Sequence, residues 1–257
     1  MNSKNMVRSI KSGQLTVGIY KTRDDMGFAA ASDVAEKLNE FLARKAIINM
    51  LFPCAMSQLD FFEHLFSTPG IEWERVNAFV MDEYMGLSPD SPQALSNFAN
   101  EKIFGKVRFK NGFAFNAANP DFEDEARRFS ALLEKYPLDI ACLGIGENGH
   151  LAYNEPHVAD FFDTKLAKIV YIDEKSQAQA VHDGVFARVD EVPKAAITVT
   201  IPVMLRAEYI SAVVPTVYKQ NAVKAAVHGE ITTLCPASIL RVKPSFLYVD
   251  SEAGALI

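Results

Sequence analysis

The chain has 257 residues and a formal net charge of −6 at pH 7, from 26 lysines and arginines against 32 aspartates and glutamates. Its basic residues form no cluster or stripe, which argues against nucleic acid as a main partner. The sequence shows no secretory signal and no apolar run long enough to cross a membrane, and its three cysteines cannot all pair, so we expect a cytoplasmic protein.

Apolar runs of strand length alternate with amphipathic segments of helix length along the whole chain. Strands are predicted at residues 15–20, 46–52, 76–81, 138–142, 168–172, 196–201, 209–214 and 246–250. Helices are predicted at residues 22–45, from 57 onward, near 97–104, and at 121–136, 175–182 and 217–227. Because no linker rich in proline, glycine or serine interrupts it, this alternation predicts one α/β domain over residues 1–257, with a doubly wound, mostly parallel, Rossmann-like sheet.

The loop after the second predicted strand ends at Ser57, which with Asp60 has the pattern of a helix N-cap. A strand, a short loop and a helix N-terminus can bind an anion, because the first N–H groups of a helix lack intrahelical partners. Ser57 is therefore either a plain N-cap or part of an anion site.

Asp82 and Glu83 directly follow the third predicted strand. Carboxylates next to a buried strand must be held by hydrogen-bond donors or by a ligand, because an unpaired charge is costly to bury. We therefore expect both to face a ligand, and a solvated turn is the alternative.

The stretch from residue 143 to 156 reads LGIGENGHLAYNEP and follows a buried strand. We expect Gly146 and Gly149 to let the backbone turn sharply against a ligand, with His150 and Glu155 at the carboxyl end of the strand. The glycine spacing also fits a dinucleotide fingerprint, but the asparagine and proline near the end of the stretch interrupt the helix that such a site needs. The remaining alternatives are a tight loop with a hydrogen-bonded histidine and, as we favour, a catalytic loop.

Lys219 lies in the first turn of the last predicted helix. A cation at that end opposes the helix dipole, and this is easier to understand if an anion binds at the same place. An ordinary solvated lysine is the alternative.

Two stretches resemble the glucosamine-6-phosphate deaminase and isomerase family, whose catalytic loop reads approximately G-x-G-x-D-G-H-x-A-F-N-E-P. The residues that match this loop are Gly144, Gly146, Gly149, His150, Ala152, Tyr153, Asn154, Glu155 and Pro156. The second signature of the family, M-D-E-Y-x-G-L, is present at residues 81–87. The likeness extends more weakly from about residue 22 to the last strand, and the N-G-H form of the loop looks closer to galactosamine-6-phosphate members.

The resemblance implies an enzyme that converts an amino-sugar 6-phosphate into a ketose 6-phosphate and ammonia, without a metal or an organic cofactor. Asp82 would then move a proton between two sugar carbons. His150 would open the sugar ring, with Glu155 orienting the imidazole or raising its basicity. Ser57 and Lys219 would bind the phosphate of this small-molecule substrate.

Three departures from the family pattern bear on these expectations. In the phosphate loop only Ser57 matches, and Gln177 stands where the family has an arginine. Asn148 replaces an aspartate of the glucosamine enzymes, and we expect it to act on the catalytic histidine. An amide can accept from an imidazole N–H but cannot stabilise an imidazolium by charge, which favours a galactosamine-type substrate.

Two other functions stay open. The 6-phosphogluconolactonases share the fold and the beginning of the loop but continue towards S-L-F-P, whereas this chain has N-E-P. A non-catalytic sugar-phosphate-binding protein would fit the weakened phosphate loop, although it would not need Asp82, His150 and Glu155 together. The sequence leaves assembly into a homo-oligomer open.

Overall fold

Eleven strands form two sheets in the computed structural model, which describes residues 1–257. The strands are β1 (Met6–Ser12), β2 (Leu15–Tyr20), β3 (Ile48–Phe52), β4 (Val76–Val80), β5 (Asp82–Tyr84), β6 (Asn111–Phe113), β7 (Ile140–Leu143), β8 (Ala167–Tyr171), β9 (Ala195–Val199), β10 (Tyr209–Val214) and β11 (Ser245–Asp250). The main sheet has the order β1-β2-β11-β10-β7-β3-β4-β6, and only the β1–β2 pair is antiparallel. The predicted mostly parallel sheet is confirmed.

Helices cover both faces of the main sheet. They are α1 (Arg23–Leu42), α2 (Leu59–Ser67), α3 (Leu95–Ala99), α4 (Phe122–Lys135), α5 (Glu174–His182), α6 (Ile201–Arg206) and α7 (Gln220–His228). Alternate strand residues enter two separate cores, one with α1 and α2 and the other with α4, α6 and α7. This arrangement explains why the central strands read as continuous apolar runs. No helix is both long and apolar enough to cross a membrane.

A second, three-stranded sheet was not predicted. In it β9 pairs with β5 on one side and with β8 on the other, and both pairs are antiparallel. The predicted strands at 168–172 and 196–201 therefore exist but lie outside the main sheet. An apolar run indicates a strand without indicating its neighbours, because pairing is decided by distant parts of the chain.

Three short or exposed elements were also missed. Strand β1 is mostly exposed and reads as polar, and it is held by pairing with β2 across a turn in which Gly13 has a φ of +57°. Strand β6 has three residues and α6 has six, too few for a clear periodic pattern. The predicted capping of α1 is confirmed, because the hydroxyl of Thr22 accepts from the N–H of Asp25 at 3.1 Å.

The order of the main sheet reverses between β7 and β3, so the loops that leave their carboxyl ends diverge. Open α/β sheets bind ligands in the crevice that such a reversal creates. The loops after β3, β4, β7 and β10 carry Ser57, Asp82, His150 and Lys219, respectively. The topology therefore brings together four residues that are far apart in the sequence.

Candidate active site

A cavity of about 740 Å³, counted out to its open mouth, lies at this crevice. Five of the nine predicted site residues line it, namely Ser57, Asp82, Gly146, His150 and Lys219. The other four, Glu83, Asn148, Gly149 and Glu155, lie behind the cavity wall. The structure thus divides the predicted site into a set that can touch a ligand and a set that supports it.

His150 is held against the backbone of its own loop. A Cβ atom on Gly146 would lie 2.1 Å from Cε1 of His150, so only glycine leaves room for the imidazole. Nδ1 of His150 is 2.9 Å from Oγ of Ser176 and 3.3 Å from Oε2 of Glu155. These two acceptors favour a proton on Nδ1 and leave Nε2 to the cavity.

Gly149 does not reach the cavity, contrary to the expectation that it contacts substrate. Its φ is +89°, which favours glycine, and a Cβ atom there would lie 2.8 Å from Sγ of Cys235. Gly149 therefore shapes the loop rather than the ligand surface.

Glu155 is fully buried beneath the imidazole. Burial opposes its ionisation, but the charge and hydrogen bond of His150 and the hydrogen bond from Asn148 outweigh burial and lower the pKa of Glu155. The carboxylate can then orient His150 and stabilise an imidazolium. This arrangement agrees with the orienting role expected for Glu155.

Asn148 makes different contacts from those expected. Its Oδ1 accepts from the backbone N–H of His150 at 3.0 Å and not from the imidazole. Its Nδ2 donates to Oε2 of Glu155 at 2.6 Å and to Oδ2 of Asp173 at 2.7 Å. Asn148 therefore fixes the loop and the supporting carboxylates without touching the cavity.

Asp82 is 7% exposed and lines the cavity at the start of β5. Burial, followed by the negative charge of Glu83, raises the pKa of Asp82 to about 8. A carboxyl group with a pKa close to the working pH can both take and return a proton. Asp82 therefore has the properties of a general acid and base.

Glu83 faces away from the cavity, contrary to expectation. Its carboxylate accepts from the backbone N–H groups of Tyr84, Leu95 and Ser96 at 2.7–2.9 Å. It thereby anchors the beginning of α3, and Leu95 of that helix lines the cavity. Its influence on the chemistry passes through the charge that it places beside Asp82.

We expect kcat/KM to rise with pH up to about 8, because only ionised Asp82 can take a proton from carbon. In Glu83→Gln this rise should occur at lower pH, because a neighbouring negative charge that raises the pKa of Asp82 is gone. The measurement is the pH profile of kcat/KM for both proteins, with thermal unfolding as the control for loss of the Ser96 contact. An unmoved profile would show that Glu83 does not tune Asp82.

The other end of the cavity carries Ser57 and Lys219. Helix α2 begins at Leu59 and has no side-chain cap, so the N-cap reading of Ser57 is wrong. The hydroxyl of Ser57 accepts from Nε2 of Gln58 at 3.1 Å, which leaves its proton for a ligand. The N–H groups of Met56 and Ser57 donate to no backbone acceptor. This loop therefore presents donors to the cavity.

Lys219 is 3% exposed, and its Nζ has no hydrogen-bond partner in the protein. Burial lowers the pKa of Lys219, and the negative charges of Asp183 and Glu147 partly oppose this. An unpaired buried ammonium is costly unless an anion completes it. The solvated-lysine reading is therefore wrong, and an anion is the natural partner at this position.

Helix α5 contributes residues that sequence reasoning missed. Ser176, Gln179 and Asp183 line the cavity, whereas Gln177 is buried and bonded to the carbonyl of Ile172 and to Nζ of Lys194. The spacing of three and four residues places the first three on one helix face, a signal that was available in the sequence. No arginine lines the cavity, as the sequence indicated.

Comparison with known proteins agrees with this geometry. The family model for "Glucosamine-6-phosphate isomerases/6-phosphogluconolactonase" matches residues 21–247. The chain belongs to this family.

Relatives within the family are named glucosamine-6-phosphate deaminase. One from Lactobacillus delbrueckii subsp. bulgaricus is 32% identical over 185 residues, which are 72% of this chain and 77% of the relative. Another, from Exiguobacterium sibiricum, is 35% identical over 188 residues, 73% of each chain.

Solved structures of the family share the fold. The structure of a monomeric glucosamine-6-phosphate deaminase has a TM-score of 0.85 at 26% identity, and the match covers 94% of this chain and 99% of that one. A 6-phosphogluconolactonase from Thermotoga maritima has a TM-score of 0.73 at 18% identity, with 91% and 99% covered, and this likeness concerns the fold alone.

Two aromatic residues complete the family site in this chain. Tyr84 and Tyr153 line the cavity beside Asp82, with ring centroids 5.6 Å apart. Tyr153 stands where the family pattern has phenylalanine, so its hydroxyl is an additional polar group near the reacting end. Both were quoted as parts of motifs, but the motifs alone did not show that they face the ligand.

Proposed function

We propose that the protein converts a hexosamine 6-phosphate into a ketose 6-phosphate and ammonia. The observation that carries the proposal is a single cavity with His150 and the buried carboxyl of Asp82 at one end and the unpaired ammonium of Lys219 at the other. Acid and base groups at one end suit the carbons of an amino sugar, and the ammonium suits a phosphate. The names of the relatives support this reading.

Ring opening is assigned to His150. The open chain forms when a base removes the proton of the anomeric hydroxyl and an acid returns a proton to the ring oxygen. Nε2 of His150 can do both, because Nδ1 is held by Ser176 and Glu155 and keeps the ring oriented. Glu155 stabilises the imidazolium that exists between the two transfers.

Isomerisation and deamination are assigned to Asp82. Its carboxylate takes the proton from C2 of the open-chain sugar, and the electron pair forms an enolamine between C1 and C2. Return of the proton to C1 gives an iminium at C2, which water converts into the ketone and ammonia. Because this last step consumes water, the reaction also counts as a hydrolysis, and one carboxyl group serves both carbons.

The phosphate is assigned to Ser57, Lys219 and the free N–H groups of the loop after β3. Lys219 is the sole lysine or arginine that lines the cavity, whereas Asp183 places a negative charge on the same wall. Lys219 therefore has no second cation to share the phosphate charge.

The choice between glucosamine and galactosamine rests on weak ground from Asn148. Because Asn148 lies outside the cavity, it cannot contact the sugar hydroxyl in which these substrates differ. The relatives are named for glucosamine 6-phosphate, so we take that sugar as the first substrate to test and galactosamine 6-phosphate as the second.

We also place the enzyme in the cytoplasm, where its three free cysteines would stay reduced. A homo-oligomer stays a prediction.

We expect ammonia and a ketose phosphate to appear in equal amounts from a hexosamine 6-phosphate, with 6-phosphogluconolactone left largely intact. The test is a panel of glucosamine, galactosamine and mannosamine 6-phosphates and the lactone, assayed for ammonia, ketose and acid. Lactone hydrolysis without deamination would make the protein a lactonase. Tight binding of a sugar phosphate without turnover would make it a binding protein.

A further inference from the structure

Asn148 lies between two carboxylates. Its Nδ2 is 2.6 Å from Oε2 of Glu155 and 2.7 Å from Oδ2 of Asp173. Its Oδ1 accepts from the backbone N–H of His150 at 3.0 Å. The orientation of the amide is unambiguous, because the flipped amide would place an oxygen against both carboxylates and an NH₂ group against an N–H.

Asp173 is connected to the imidazole by two routes and does not line the cavity. One route passes through Asn148 to Glu155, which is 3.3 Å from Nδ1 of His150. The other passes through Ser176, whose N–H donates to Oδ1 of Asp173 at 2.9 Å and whose Oγ is 2.9 Å from Nδ1. The carboxylate of Asp173 thus fixes two groups that contact the catalytic histidine.

We propose that Asp173 is a positioning residue for His150 and that residues 148 and 173 form a matched amide and carboxylate pair. The network tolerates two carboxylates, Glu155 and Asp173, because the amide of Asn148 donates one N–H to each. A carboxylate at position 148 would meet both without a donor between them, and like charges at such distances oppose one another. The negative charge that position 148 lacks is supplied by Asp173.

This inference deepens the proposed function, because one of its readouts is deaminase turnover. Asn148→Asp should lower kcat at least about tenfold with a smaller change in KM, because the damage falls on the orientation of His150 rather than on the ligand surface. Asp173→Asn should lower kcat less, because asparagine still caps α5 but no longer accepts from Asn148.

The double variant, Asn148→Asp with Asp173→Asn, is the decisive protein. It again has two carboxylates and one amide, so it should be more active than Asn148→Asp alone. Groups in one hydrogen-bonded network commonly show such non-additivity, by about twofold to a hundredfold. A structural defect at each position would instead make the double variant the worst of the three.

Asp121→Asn is the matched control. Asp121 also caps a helix, α4, through a hydrogen bond from the N–H of Asp124 at 2.9 Å, and it lies outside the network. Its asparagine variant measures the general cost of this exchange at an N-cap. We expect its kcat to equal that of the unmodified protein.

A second readout does not depend on the reaction. The ¹⁵N and ¹H NMR signals of the Nδ1–H group of His150 report its hydrogen bonds in the ligand-free protein. They should change in Asp173→Asn and in Asn148→Asp, return towards the original position in the double variant, and stay unchanged in Asp121→Asn.

The outcomes separate the two hypotheses. Absence of turnover in the unmodified protein would overturn the proposed function, and the NMR cycle would still decide the role of Asp173. An Asn148→Asp protein with full activity, or a double variant no better than it, would overturn the matched pair. An unchanged His150 signal in Asp173→Asn would overturn the positioning role.

Discussion

Replacing Asp82 with asparagine should lower turnover at least about a hundredfold while substrate still binds. General acid and base groups contribute roughly 10²–10⁴ to rates, and an amide cannot take a proton from carbon. The amide keeps the size of the carboxyl group, so the cavity that holds the sugar should keep its shape. Steady-state kinetics and calorimetric binding of a hexosamine 6-phosphate measure the two effects separately.

The same variant should be more stable than the unmodified protein at pH 8. Asp82 has a pKa of about 8 in the fold, well above the roughly 3.9 of an unfolded chain. Between these values the folded protein holds a proton that the unfolded chain has released, so this residue makes stability fall as pH rises, by about 1.4 kcal/mol per pH unit. Asparagine has no such dependence. Thermal unfolding at pH 5 and pH 8 should show the difference between the proteins growing with pH.

Isotope exchange provides the contradicting result for Asp82. If the carboxyl group removes the C2 proton, deuterium from solvent should enter the sugar far more slowly in the variant. Exchange at the unmodified rate would remove Asp82 from this step. A stability difference that does not grow with pH would show that the buried carboxyl is already ionised at neutral pH.

Replacing Lys219 with alanine should weaken binding of a phosphorylated sugar by about ten- to more than a hundredfold. A hydrogen bond to a charged group contributes roughly 1.5–3 kcal/mol, and no other lysine or arginine lines the cavity. The unphosphorylated sugar should lose little, because Nζ of Lys219 has no other partner to position. Calorimetric titration with both sugars measures the comparison.

Lys224 provides the matched control, because it lies on the same helix, α7, and is exposed. Lys224→Ala removes one positive charge from the same region and should leave both affinities unchanged. Equal losses for the two sugars in Lys219→Ala would mean that Lys219 supports the cavity without binding phosphate. Equal losses in the two lysine variants would mean that general charge, rather than a specific contact, attracts the ligand.

The sequence determined the class of fold and the reacting groups. Central parallel strands are buried on both faces and read as apolar runs, so the main sheet could be predicted from local pattern. Asp82 and His150 could be singled out because polar residues directly after buried strands require a physical explanation. Lys219 followed from the same logic, since a cation in the first turn of a helix opposes the dipole.

Tertiary structure decided which predicted residues face the ligand. Glu83 and Asp82 are adjacent in sequence, but alternate strand residues point to opposite sides, and only Asp82 reaches the cavity. Asn148 and Asp173 are 25 residues apart, and no pattern in either segment indicates their contact. Their pairing arises because α5 packs its N-terminus against the loop after β7, and such long-range packing is not encoded in local periodicity.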